Sequence, residues 1–279
     1  MEQIKERLVS RYRYSWILLK ELVKTDFKLR YEGSWLGVAW SVLKPLMLFA
    51  VMYVVFVRFL KFSDGTSTYP IVLLCGISLW NFFSEATTMG MQSVVTKGDI
   101  LRKINFPKYI TVVAATVGSL ISLAINMVVV IIFGLFSHAH FTWRIVFVFL
   151  NIGELYVLAL GVSMILATLY VWFRDMQHIW EVVLQALFYA VPIIYPITMI
   201  EQMSPEHGKT IAKLMLMNPA AQSIMDVRHN LISPENVPTV WTMVNSWYIQ
   251  IIPILITVVI FGIGFSLFRR YNYKFAEIL

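Results

Sequence analysis

Apolar residues fall in six blocks, at about 36–60, 69–92, 109–136, 145–171, 179–200 and 247–268, with short polar or basic stretches between them. Each block reaches roughly 20 residues, the length at which a helix rising about 1.5 Å per residue crosses a hydrocarbon core of about 30 Å. A membrane barrel would instead show alternating segments of about ten residues. The pattern predicts an all-α integral membrane protein with six transmembrane helices. An even number puts both termini on one side.

Two regions depart from plain spans. Leu8, Tyr12, Trp16, Leu19 and Val23 recur at three- or four-residue spacing, with Arg7, Arg11, Arg13, Lys20 and Lys24 between them. That period predicts an amphipathic helix lying in the cytoplasmic interface, its aromatics at headgroup depth. Residues 1–35 are therefore expected as an interface element and 36–279 as the transmembrane domain. Further on, Ala190-Val191-Pro192-Ile193-Ile194-Tyr195-Pro196 sets two prolines in apolar sequence, where each removes a helical hydrogen bond and breaks or kinks the helix. The stretch after it holds Pro205, Pro219, Pro234 and Pro238 and is the least lipid-like of the outer segments. Short re-entrant or interfacial helices on the outer side, forming a gate region at about 190–246, are expected before the last span.

Composition agrees with lipid as the solvent. The 279 residues are 58% hydrophobic and 14% charged, whereas soluble domains carry about a quarter charged residues. A net charge of +7 would suit a nucleic-acid partner in a soluble protein, but its distribution argues otherwise. Of 23 Lys and Arg, only Lys61, Lys209, Lys213 and Arg228 lie in the expected outer segments, while Lys44, Arg58 and Arg144 sit near span ends, where long side chains snorkel. The others crowd into 1–35, 93–108, 172–178 and 269–279, which the positive-inside rule places in the cytoplasm together with both termini. No apolar stretch precedes residue 36, so the N-terminus is expected to stay inside without a cleaved signal. The single cysteine, Cys75, lies in an apolar run and reads as packing.

Chemistry-bearing motifs are sparse. The sequence holds no phosphate-binding G-x-x-x-x-G-K-[ST] loop and no G-x-G-x-x-G, so ATP-driven work requires a separate ATPase. The histidines show no metal-ligand spacing; His138 and His140 fall in a short outer turn. Glu154 lies about nine residues inside the fourth block and is expected to face the bundle interior or a channel. Glu85, Asn126 and Glu181 read as structural polar groups between helices. Between the second and third blocks, the basic loop at 94–108 mixes apolar and charged residues, with a short helix expected from Asp99 to Asn105 and Pro107 at the start of the next span.

A set of short motifs in fixed order carries a resemblance: Tyr31-Glu32-Gly33-Ser34-Trp35-Leu36-Gly37-Val38-Ala39-Trp40 with Pro45, Leu79-Trp80-Asn81-Phe82-Phe83, Asn105-Phe106-Pro107, Phe173-Arg174-Asp175, Pro192-Ile193-Ile194-Tyr195-Pro196, and Asn218-Pro219 followed by Arg228. Over almost the whole chain they resemble the transmembrane subunit of ABC exporters of lipid-linked cell-surface glycans, such as O-antigen or wall teichoic acid. The closing Tyr273-Lys274-Phe275-Ala276-Glu277-Ile278-Leu279 and the Asn105-Phe106-Pro107 connector resemble teichoic-acid exporters somewhat more than O-antigen ones.

The resemblance implies a homodimer in a bacterial cell membrane, bound to two copies of a cytoplasmic ATP-binding subunit that carries ATP and Mg, with no cofactor in this chain. It implies a coupling helix around Asp99, Ile100, Arg102, Lys103, Ile104, Asn105 and Phe106, and a second contact at Arg174 and Asp175. The substrate would be an undecaprenyl-pyrophosphate-linked polymer sliding between the two subunits. A sliding sugar chain needs aromatic platforms and weak repeated hydrogen bonds, for which Trp40, Tyr53, Trp80, Asn81, Phe83, Tyr189 and Tyr195 are candidates, with Glu154. Lys28, Arg30 and Lys44 are candidates for receiving the lipid pyrophosphate, or for pairing with ordinary anionic membrane lipids.

Other classes are weighed against this reading. A permease for a small amphiphile or drug shares the architecture. A membrane enzyme using Glu154 and Asp175 fares poorly, because those carboxylates lie roughly 30 Å apart along one helix. An ion-coupled carrier lacks the paired broken helices of inverted repeats.

Overall fold

The computed structural model describes residues 2–62, 68–104, 106–137, 142–204, 206–232 and 235–278, without the side chains of 2–12, 30, 31 and 276. It is 83% helical, with no strand among the described residues. The N-terminal helix α1 (Glu2–Tyr31) is continuous over 30 residues. Its end is followed by Gly33 at φ 78°, a left-handed conformation that glycine adopts without steric cost and that commonly terminates helices.

Among the described residues, five stretches are long and apolar enough to cross a membrane. The first, Gly37–Phe59, is composite: a 3-10 turn, then α2 (Trp40–Met52), then a π-helical segment, Tyr53–Phe59. The next two are α3 (Tyr69–Thr96) and, after the short α4 (Gly98–Lys103), α5 (Tyr109–Phe136). Then comes α6 (Ile145–Trp172).

The block expected as the fifth span, 179–200, is interrupted at the two prolines, as their positions predict. It divides into α7 (Met176–Ala190), an irregular stretch from Val191, and α8 (Ile197–Met203). Val191, the residue before Pro192, is extended at φ −91°, ψ 133°, as the proline ring demands. At 15 residues, α7 is about 22 Å long, short of a full hydrocarbon crossing. Short helices follow as expected for this region: α9 (Gly208–Leu216), α10 (Pro219–Leu231) and α11 (Val240–Met243). The last long apolar stretch, Trp247–Lys274, begins with α12 (Trp247–Gln250) and continues as α13 (Ile252–Tyr271), followed by α14 (Phe275–Ile278).

The centre of the bundle is α3, whose apolar window is 78% buried, against 6% for Gly37–Phe59. It packs on α5 and α6, while α6 also receives α13 and α10. The α6–α13 crossing is tight because two glycines meet: a Cβ at Gly264 would stand 2.3 Å from the Gly161 carbonyl oxygen. In lipid such close approach is a main source of helix attraction, since no hydrophobic gain separates a side chain in a tail from one in a neighbouring helix.

Buried side chains form two clusters at opposite ends of the bundle. One gathers Leu22 of α1, Val94, Leu101 of α4, Phe106, Ile110, Val171, Phe268 and Phe275. The exposed Arg102, Lys103, Arg174 and Arg269 lie at this same end, here called the basic end. The other cluster joins the first half of α3 to Leu155, Leu184, Ile193 and the core of α10.

Candidate functional site

A polar groove opens between α2, α3 and α5. Its volume is about 430 Å³, and its lining includes Trp40, Ser41, Lys44, Asn81, Glu85 and Asn126. Asn81 stands 12 residues into α3, about 18 Å from the helix start, so the groove reaches the middle of the span. Three hydrogen bonds give it its shape. Ser119 donates to Glu85 Oε1 at 3.3 Å, and Asn126 Nδ2 donates to the Ser41 carbonyl at 3.1 Å and to the Ser122 carbonyl at 2.8 Å. The Ser41 bond answers a local need. Pro45 lies inside α2, four residues after Ser41, and its missing N–H leaves that carbonyl without its helical donor. Asn126 supplies the donor from α5 and ties α2 to the bundle.

A second irregularity, after α7, is stapled rather than loose. Val191, Ile193 and Ile194 are buried, so their peptide groups need partners inside the protein. Arg228 Nη1 donates to the Pro192 carbonyl at 2.6 Å, and the Tyr69 hydroxyl donates to the Ile194 carbonyl at 3.1 Å. Arg228, 2% exposed, comes from α10. That helix starts on an Asn218 cap, whose side chain accepts from the Ala220 N–H, with Pro219 in its first turn, a favoured opening for a helix.

The same helix carries a buried polar row. Gln222 Nε2 donates to Asp226 Oδ2 at 2.5 Å and to Glu154 Oε2 at 3.3 Å, while Trp241 Nε1 donates to Asp226 Oδ2 at 2.9 Å. His229 Nδ1 lies 2.8 Å from the Val237 carbonyl and its Nε2 lies 2.9 Å from Arg144 Nη1. A carbonyl can only accept, so Nδ1 carries the proton and Nε2 accepts from the guanidinium.

At the basic end α4 forms a rigid connector between α3 and α5. Leu101 and Phe106 are each 6% exposed and sit in the cluster there, while Ile100 and Ile104 are 38% and 45% exposed. Asp99, Arg102 and Lys103 are exposed around them. Lys97, at the α3–α4 junction, is paired with Asp26 of α1 at 2.5 Å. Arg174 and Asp175, in the α6–α7 turn, are exposed at this same end, with the Arg174 guanidinium 5.2 Å from the centre of the Tyr170 ring.

These positions sort the residues that the sequence singled out. Trp40, Lys44 and Asn81 meet in the groove. Trp80 and Phe83 do not: they are 5% and 3% exposed and pack on each other with ring centres 5.7 Å apart, Trp80 also touching Phe188. Tyr53 sits apart, beside Phe49 and Arg58. Tyr189 is exposed, and the Tyr195 hydroxyl donates to its carbonyl at 2.7 Å. Glu154 faces α10 through Gln222 rather than the groove. Lys28 is exposed on α1, away from the groove lining. Phe106, expected at the coupling surface, is buried beneath it, because it closes the apolar cluster under α4. Asn105 and the side chain of Arg30 lie outside the described residues.

Sequence reasoning did not single out Gln222, Asp226 and His229, although they lie in the segment where short outer helices are expected. The available signal was the Asn218-Pro219 helix start followed by polar residues at four-residue spacing.

A family model for the ABC-2 type transporter matches residues 17–227, from within α1 to within α10. The chain belongs to the ABC-2 type transporter family. It is thus a multi-pass membrane component of a transporter. Among curated ABC-2 relatives, an O-antigen export system permease protein RfbA of Klebsiella pneumoniae is 28% identical over 273 residues, covering 95% of this chain and 96% of that protein. A second RfbA of the same species is 26% identical over the same shares. One of Myxococcus xanthus is 28% identical over 193 residues, covering 69% of this chain and 73% of its own length.

Proposed function

We propose that this ABC-2 protein is the transmembrane subunit of an ATP-driven exporter that moves a lipid-pyrophosphate-linked cell-surface glycan outward through a channel between two copies of the chain. The O-antigen class of polysaccharide is preferred over teichoic acid because the relatives that match nearly end to end are named for O-antigen export. The observation that carries the reading is the groove. Lys44, Asn81, Glu85 and Asn126 line an open cleft within the spans, and polar groups at that depth are tolerated where they face protein or water rather than lipid tails. A second copy of the chain closing over the poorly buried first span turns the cleft into the wall of a wet passage. There, Trp40 offers a sugar-stacking surface and Asn81 a hydrogen-bonding one.

The basic end is the cytoplasmic face in this reading, with α1 at the interface. Ile100 and Ile104, ringed by Asp99, Arg102 and Lys103, form the surface on which an ATP-binding subunit docks, and Arg174 and Asp175 provide a second contact. ATP and Mg belong to that subunit. Two copies of each partner make the complex, which resides in the bacterial inner or plasma membrane.

The test is reconstitution of the chain with its ATPase in liposomes, with ATP hydrolysis followed as defined undecaprenyl-pyrophosphate glycans are added. Stimulation by an O-antigen-type glycan, lost in Asn81→Leu, supports the reading. Stimulation by a teichoic-acid precursor alone corrects the substrate, and stimulation only by small amphiphiles overturns it.

A further inference from the structure

A second cavity, larger than the groove, lies away from it at the basic end. It has a volume of about 670 Å³ and sits among α1, the start of α5 and the end of α13. Tyr14 and Tyr109, Lys108, Arg269, Phe265 and Tyr273 line it. The two cations approach from different elements, Lys108 from the start of α5 and Arg269 from the last turn of α13. Lys108 Nζ gives one proton to the Asn272 carbonyl at 2.6 Å, which fixes its position and leaves ammonium protons over. Arg269 makes no salt bridge among the described residues. Phe265 adds an exposed apolar wall, and Trp16 and Ile17 of α1, next to Tyr14, are exposed as well.

From this juxtaposition we infer that the cavity is a binding site for an anionic phospholipid of the leaflet at the basic end, its phosphate held by Lys108 and Arg269 and its glycerol and upper chains against Phe265. The three tyrosines are the kind of residue that sits at headgroup depth, with the ring in the acyl boundary and the hydroxyl toward water. A soluble anion would need the two cations but not the apolar wall or the position at the mouth of two span ends. Burial holds the Lys108 ammonium below the usual lysine range, only partly offset by the field of Glu277. A phosphate in the cavity reverses that penalty, since an opposite charge within reach favours the ionised lysine. The site is separate from the groove proposed for the glycan, and it rests on neither the identity of the cargo nor the presence of a second copy.

The experiment is native mass spectrometry of the purified full chain in detergent, titrated with dioleoylphosphatidylglycerol, dioleoylphosphatidylcholine or inorganic phosphate. One phosphatidylglycerol is expected to be held in preference to phosphatidylcholine. Lys108→Gln with Arg269→Gln should weaken it about thirtyfold, the effect of removing two cations beside an anionic headgroup. Lys20→Gln with Lys24→Gln removes equal charge from the exposed face of α1 and should leave it in place. Should Lys108→Gln fail to fold for want of its Asn272 bond, Arg269→Gln alone and Ser15→Trp, which fills the cavity from α1, carry the test, and each should lower the retained lipid. Equal retention of the two lipids, unchanged retention in the cavity variants, or displacement by millimolar inorganic phosphate overturns the assignment.

Discussion

Asn126 of α5 donates to the carbonyl of Ser41 in α2 at 3.1 Å, and Pro45 is the reason that carbonyl needs an outside donor. The bond is a polar link that joins α2, part of the least buried span, Gly37–Phe59, to the rest of the bundle on the side of the groove. A proline inside a membrane helix is affordable when a neighbouring helix takes over the lost bond.

Asn126→Leu should therefore cost about 1 kcal/mol, the usual range for hydrogen bonds between membrane helices. Pro45→Ala restores an N–H to the Ser41 carbonyl and should shrink that cost. Thermal unfolding of the four proteins of the double-mutant cycle in detergent measures the coupling. A cost for Asn126→Leu that is the same with and without Pro45 contradicts the account.

The α4 connector separates contact from support. Ile100→Asp and Ile104→Asp change exposed side chains and should abolish co-purification with the ATP-binding subunit while the chain still elutes as a folded species. Phe106→Asp places a carboxylate in the cluster beneath, where an unpaired charge costs several kcal/mol, and should lower the yield of folded protein itself. Affinity capture combined with size-exclusion profiles distinguishes the two outcomes.

Lys97 and Asp26 join α1 to the α3–α4 junction at 2.5 Å, with side chains 10% and 24% exposed. Asp26→Asn keeps the shape but removes the charge, and should loosen α1 by about 2 kcal/mol, the scale of a hydrogen bond between charged groups. If α1 moves with α4, substrate-stimulated ATP hydrolysis should fall while ATPase binding persists. The exchange Asp26→Lys with Lys97→Asp should recover part of it, measured in proteoliposomes.

Gly264 meets the Gly161 carbonyl so closely that even a methyl at 264 would stand 2.3 Å from it. Gly264→Ala must push α13 off α6 and should destabilise the protein by about 1–3 kcal/mol, as overpacking does. Gly262→Ala, two residues earlier and facing open space, should be neutral or slightly stabilising through helix propensity. Melting temperatures of the two variants in the same detergent give the comparison.

Much of this architecture was legible in the chain because it follows from short-range physics. Apolar runs long enough to cross lipid marked the five long spanning stretches, Pro192 and Pro196 marked the break after α7, and the basic loop at 94–108 marked a connector with a short helix. The family motifs pointed to the transporter class that the comparison bears out. What one dimension could not supply was which face of each helix looks where. Trp80 and Phe83 looked like channel aromatics beside Asn81, yet helical rotation turns them into the core and leaves Asn81 in the groove.

The sequence by itself determined solvent, helix positions and charge asymmetry, since hydropathy, proline geometry and Lys and Arg placement act locally or through the bilayer. Only the tertiary structure decided that Asn126 serves Pro45, that Arg228 serves the break at Pro192, and that Lys108 and Arg269 share a cavity. Each of those pairings joins residues far apart in the chain. The first two exist because a buried backbone carbonyl away from water needs a donor, the third because the ends of two spans meet there, and in each the fold determines which distant side chain is in reach.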